Sequence, residues 1–231
     1  MSRPIDEKVK AYAGEPASIP DETHAGSVTV SCAVVAGNLL VLAFVRFMFY
    51  YLKGFDSKAT VFDSPVSSVL LIVSLLLVHL IFCVLANRAG AAIKWTLNML
   101  LLAVEVLIVL DCEFNVIVMV MLADVFVFHL LTALITKSRG AYSFGVSMGL
   151  ILMLFVVSVV VIAVTCQTYF KDTSFSYFKL NALIGGLIYC VWAALFFNVR
   201  SNAEFMKAEN YSFAISNDLF YIMAEILAEI K

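Results

Sequence analysis

Long apolar blocks alternate with short polar stretches along the whole chain after its first residues. Crossing a bilayer core about 30 Å thick takes about 20 apolar residues in a helix, with a working range of about 17–25. Seven blocks meet or approach that length: residues 28–51, 66–86, 95–110, 114–135, 144–165, 180–198 and 211–230. The pattern predicts an all-α integral membrane protein, a seven-transmembrane helix bundle. The third block is the shortest, and only Asp111-Cys112-Glu113 parts it from the fourth. Those two helices must form an antiparallel hairpin whose acidic turn lies at a membrane surface.

Residues 1–27 break the pattern. They mix acids and bases with Pro4, Pro16 and Pro20 and hold few apolar pairs, the composition of a flexible tail. No basic stretch leads into a short apolar core and cleavage site, so the block beginning at Val28 reads as an uncleaved first anchor. Residues 28–231 then form one transmembrane domain.

Composition narrows the function. Hydrophobic residues make up 63% of the 231, against about 45–50% in a soluble domain, and that excess needs lipid to cover it. The net charge of −2 and the lack of a basic cluster interleaved with aromatics exclude nucleic acid as a partner. No nucleophile with its base, phosphate-binding loop or dinucleotide turn is present, so the chain reads as a non-enzyme without a cofactor. Cys32, Cys83, Cys112, Cys166 and Cys190 are scattered, without metal-ligand spacing, and read as small hydrophobes.

Orientation follows from Lys and Arg, which collect on the cytoplasmic side. If all seven blocks span, Arg3, Lys8, Lys10, Arg88, Lys94, Lys137, Arg139, Arg200 and Lys207 share the N-terminal side. Arg46, Lys53, Lys58, Lys171, Lys179 and Lys231 share the other. Nine against six predicts a cytoplasmic N-terminus. The one glycosylation sequon, Asn210-Tyr211-Ser212, then lies on the cytoplasmic side, where no glycan is added.

Charged groups at bilayer depth cost at least about 2.5–3.5 kcal/mol each, so they face a cavity or a partner. Asp218, Glu225 and Glu229 are spaced by seven and four residues. On a helix they fall within about 40° of one another, a carboxylate stripe on one face. Such a stripe belongs either to a helix lying on the membrane surface or to the wall of a polar cavity; the missing Lys/Arg rim favours the cavity. Asn98 and Glu105 share a face of the third segment, and Asp124 stands in the fourth. Glu105 and Asp124 are candidates for the same cavity or for bonds between helices. His79, His129, Asn38 and Asn181 are expected to bond between helices, and Gly185-Gly186 to let helices approach closely. No metal site is expected.

The C-terminal third is similar to a known family. Glu209-Asn210-Tyr211-Ser212-Phe213-Ala214-Ile215-Ser216-Asn217, followed by Leu219, Ile222 and Leu227, resembles the closing signature of the transmembrane BAX-inhibitor-motif family. That signature reads approximately E-E-Y-x-x-A-x-x-N-L-Y-L-D-I-I-N-L-F. Lys94-Trp95-Thr96-Leu97-Asn98, Glu105, Thr136-Lys137 and Tyr142-Ser143 resemble further family motifs in the same order. The resemblance spans about residue 28 to the end and implies an intracellular-membrane protein that restrains apoptosis and leaks Ca²⁺ from stores. It also implies a pore closed by a pH-sensing pair of carboxylates. The positions of that pair fall on Asn198 and Tyr221, so both acids are replaced here. Family-type acid-to-neutral gating is therefore not expected, unless Asp218 or Glu225, about one turn to either side of Tyr221, substitutes. A retained scaffold without the pair is what a captured, virus-encoded copy would show.

Two functions follow. One is a Ca²⁺ or cation leak channel of the endoplasmic reticulum or Golgi, with Asp218, Glu225, Glu229, Glu105, Asp124 and Asn98 along a polar path. The other is a non-conducting bundle that binds membrane-protein partners of cell-death or calcium signalling and alters their trafficking. A seven-helix receptor fits least, since the turns are too short for a ligand-binding ectodomain.

Overall fold

The computed structural model describes residues 22–53, 65–85, 88–111, 116–139, 143–169, 177–198 and 207–230. They form seven helices: α1 Glu22–Lys53, α2 Pro65–Leu85, α3 Ala91–Asp111, α4 Val116–Arg139, α5 Phe144–Tyr169, α6 Tyr177–Asn198 and α7 Ala208–Ile230. Helix is forced on these segments because lipid offers no partner to a backbone N–H or C=O. Even α5, with Val156, Val157, Val159, Val160 and Val161, is helical, although β-branched side chains lower helix propensity in water.

Local signals set several boundaries. Pro65 opens α2 at the first helical position, where its missing N–H costs nothing. Gly90 precedes α3, and its carbonyl accepts from the N–H groups of Ile93 and Lys94 at 3.1 and 3.3 Å. Ser143 precedes α5 and its carbonyl accepts from both the N–H and the hydroxyl of Ser147.

Most boundaries shift from the hydropathy reading: α4 and α5 run on to Arg139 and Tyr169 rather than 135 and 165, and α6 and α7 begin at Tyr177 and Ala208 rather than 180 and 211. α1 begins at Glu22 rather than Val28, and its 32 residues span about 48 Å, well beyond the hydrocarbon core. α3 begins at Ala91 rather than Trp95, because Lys94 is carried inside the bundle instead of sitting in the turn. Its 21 residues span about 32 Å, enough to cross. Most of the expected N-terminal tail and the acidic turn after Asp111 lie outside the described residues.

The contacts fix an up-and-down topology. Along α7, successive partners on α2 run backwards, with Phe82 on Phe213 and His79 on Asn217. Partners on α6 also run backwards, from Phe197 beside Tyr211 to Tyr189 near Asp218. Those on α3 run forwards, from Lys94 at Asn210 to Glu105 near Ser216. α7 is enclosed by α1, α2, α3 and α6, while α4 packs on α1, α5 and α6.

Apolarity increases outward, the reverse of a soluble protein. Among the described residues four windows are long and apolar enough to cross a membrane: Ala25–Phe49, Ala91–Leu110, Ile117–Arg139 and Phe144–Thr165. Shorter apolar helices are Val69–Leu85 and Asn181–Phe197. The most apolar window, on α5, is only 22% buried, whereas that on α4 is 50% buried. Leu152, Val156 and Val160 on α5, and Val73, Leu77 and Leu80 on α2, lie open. Apolar faces of that extent require lipid or protein cover, and the fold is that of a multi-pass membrane protein.

Gly186 on α6 is buried against α4, and a Cβ there would lie 2.5 Å from Met121 Cγ and 3.4 Å from Val125 Cγ2. Met121 is itself fully buried. Gly186→Ala is expected to destabilise the bundle by about 1–3 kcal/mol, the usual cost of overpacking. Adding Met121→Ala should recover part of that loss, read as non-additive melting temperatures in detergent.

Candidate functional site

α7 carries Asn210, Ser212, Ser216, Asn217 and Asp218 within its first half, and no membrane-facing position could hold them cheaply. The surrounding helices answer most of them one by one. From α3, Lys94 Nζ donates to Asn210 Oδ1 at 3.0 Å, and Asn98 Nδ2 donates to the Glu209 carbonyl at 2.9 Å. From α1, Asn38 Nδ2 donates to Ser212 Oγ at 3.2 Å. Asn210, the sequon residue, is thus occupied inside the bundle.

His79 and His129 bond between helices, as expected. His129 on α4 is fully buried, with Nδ1 2.7 Å from the Val125 carbonyl and Nε2 2.8 Å from Tyr211 Oη. A carbonyl only accepts, so Nδ1 carries the proton, and the neutral ring's Nε2 accepts from the Tyr211 hydroxyl. His79 on α2 lies 3.0 Å through Nδ1 from Asn217 Nδ2 and 3.4 Å through Nε2 from Cys83 Sγ. The amide donates to Nδ1, which leaves the neutral ring's proton on Nε2, toward the sulfur. Asn181, by contrast, is exposed at the start of α6.

Glu105 is the exception. It is 0% exposed on α3, and neither carboxyl oxygen has a hydrogen-bond partner. Ser216 of α7 is the hydroxyl beside it, outside hydrogen-bonding geometry. Asn217, next along α7, is buried with its Oδ1 also unpartnered. Glu105 and the polar half of α7 therefore hold three buried acceptor oxygens without donors. Glu105 is fourteen residues into α3, about 21 Å along a helix long and apolar enough to cross a membrane, and Asp218 is ten residues into α7, about 15 Å along it.

The sequence candidates divide accordingly. Asn98 and Glu105 lie on α3 against the Glu209–Ser216 face of α7, whereas Asp218 is on α7 itself, about 200° around the helix from Ser216. Asp218, half-buried, lies near His79 and Tyr189, and its Oδ1 is 3.5 Å from Asn217 Nδ2. Asp124 sits elsewhere, on the α4–α5 contact, where the Ser158 hydroxyl lies 2.5 Å from Asp124 Oδ2 and 2.6 Å from the Leu154 carbonyl. Asp124 is held by a helix-to-helix bond there. The side chains of Glu225, Glu229, Asn198 and Tyr221 lie outside those described. α7 nevertheless runs unbroken to Ile230, so the helical spacing behind the carboxylate stripe holds.

Lys94, Tyr211, Ser212, Ser216 and Asn217 were not singled out by hydropathy. For the four on α7 the signal is the concentration of polar residues in one segment, which gives no partner, while Lys94 on α3 stands out only in the family resemblance. Among the described residues no cluster of three His, Cys, Asp or Glu could hold a metal ion.

The His129–Tyr211 bond offers a check on the packing. Interhelical hydrogen bonds in membranes average about 0.6 kcal/mol and reach about 1.7. Both groups are fully buried here, so a coupling near the upper end, about 1–1.7 kcal/mol, is expected. Tyr211→Phe and His129→Leu should each lower thermal stability, and the double variant should lose less than the sum in a double-mutant cycle. No protein-family model, curated protein or solved structure matches the chain.

Proposed function

We propose that the protein crosses an endoplasmic reticulum or Golgi membrane seven times, N-terminus in the cytoplasm, and leaks cations, Ca²⁺ among them. On this reading the leak dampens apoptotic signalling. The observation that carries it is Glu105: a carboxyl group deep in the membrane whose two oxygens have no donor, facing the most polar helix. An ionisable group in that position marks an ion or proton path. The alternating helix directions support an odd number of crossings. The organelle and the link to cell death rest on the resemblance to the BAX-inhibitor-motif family.

Asn98 shares the α3 face of Glu105; Asp218, two residues and about 200° around α7 from Ser216, faces α2 and α6 instead, and the Glu225–Glu229 stripe would continue that second side. Ca²⁺ is the permeant ion of this reading and not a resident cofactor. Membrane proteins of calcium or survival signalling would be the partners. A second reading, a non-conducting interaction protein, draws on the other polar groups of α7, which are tied to neighbouring helices by direct hydrogen bonds.

Reconstitution in liposomes loaded with a Ca²⁺ dye separates the two. The wild type should leak above empty liposomes. Glu105→Gln should lower that leak about tenfold or more, equivalent to a barrier change of about 1.4 kcal/mol, while yield and melting temperature hold. Asp218→Asn should lower it less, since Asp218 already has neighbours of its own. A wild type that never leaks would support the non-conducting reading; a leak unmoved by Glu105→Gln would take Glu105 off the path.

The orientation has its own readout. A tag at the N-terminus should be digested by protease added to intact microsomes, and a protected tag would reverse the bundle.

A further inference from the structure

At the end of the bundle away from the N-terminus of α7, α1, α3 and α4 leave an apolar cleft of about 200 Å³. Leu39, Leu42 and Ala43 of α1, Val109 of α3, and Leu122 and Phe126 of α4 form its walls. The one charged residue on the wall is Arg46. Its Nη1 is buried and has no hydrogen-bond partner, and its Cζ stands 5.9 Å from the Phe49 ring centroid. An arginine cannot escape the cost by losing its proton. A buried guanidinium N–H without an acceptor therefore calls for one from outside the chain.

We propose that this cleft is a specific site for a membrane phospholipid, with one acyl chain seated among the apolar side chains and the headgroup phosphate on Arg46. Three observations fit that occupant together. The guanidinium is a planar fork matched to a phosphate's oxygens, and it is the residue type favoured for that contact. Arg46 lies three residues inside the end of the apolar stretch Ala25–Phe49, about 4.5 Å along the helix, which puts its long side chain within reach of headgroup level. The cleft is smaller than the roughly 300–1,000 Å³ of a drug-sized pocket, and its lining on α1 runs from Leu39 to Arg46, about 10.5 Å along the helix, room for part of a single alkyl chain.

Charge and chain must act together for the site to exist, and the probes separate them. Phosphatidylglycerol, diacylglycerol with the same chains, and glycerol phosphate without chains are titrated onto the detergent-purified protein and followed by native mass spectrometry. One phosphatidylglycerol should be retained per chain, with neither control retained. Arg46→Gln, which keeps length and loses the fork, should weaken retention about tenfold. Ala43→Phe, which fills the cleft, should abolish it. Equal retention of diacylglycerol, or retention unchanged in both variants, would overturn the proposal. So would a loss in Arg46→Gln with none in Ala43→Phe, since that describes a headgroup held by surface charge alone. If either variant fails to fold, a phospholipid photoreactive at its acyl chain decides on the wild type. Label should land on Met119, Leu122 or Phe126 of α4, and label spread over the open faces of α2 and α5 would overturn the site.

Discussion

The whole arrangement depends on the polarity of one helix. α7 bears too many hydrogen-bonding side chains to face acyl chains, and a polar group left unpaired in hydrocarbon costs several kcal/mol. It can stay in the membrane only if other helices surround it and each offers a matching group. Asn38 on α1, His79 on α2, Lys94 and Asn98 on α3 and His129 on α4 are those groups. The neighbours' rotations about their own axes are therefore set: each must turn the polar residue or residues it offers toward α7.

On α5 and α2 large aliphatic side chains simply meet lipid, where apolarity itself gives no drive for helices to associate. Closeness at α4 and α6 comes from removing a side chain, at Gly186, and seating Met121 in the space. Aromatic stacking of Phe82 on Phe213, with centroids 3.8 Å apart, does the same work beside the polar contacts of α2.

Hydropathy made the helices legible because the length of an apolar block is set by membrane thickness, a one-dimensional constraint. The seven helices and their order could be read directly, and so could the bonding roles of His79, His129 and Asn38. Partners could not. Which residue meets Glu105 depends on helix rotation and depth, and nothing along the chain encodes that Ser216 lies beside it. Asp124 shows the same limit: it has the same residue class and burial as a cavity carboxylate, yet it faces Ser158 across the α4–α5 contact. Lys94 misled because a charge between two apolar blocks reads as a turn, whereas an acceptor on Asn210 lets it enter the bundle.

The polar lining of α1 to α4 is complementary to a helix that follows them in the chain. Until α7 arrives, those helices present an open, ready-made groove, and α7 behaves toward it as a tethered ligand. The link from Asn198 to Ala208 is short, so the effective concentration of α7 at its groove is high and binding in trans competes poorly. The same logic gives the groove a second possible occupant when the tether is cut or stretched: the α7 of a neighbouring copy, which would exchange between chains without any change in the contacts made.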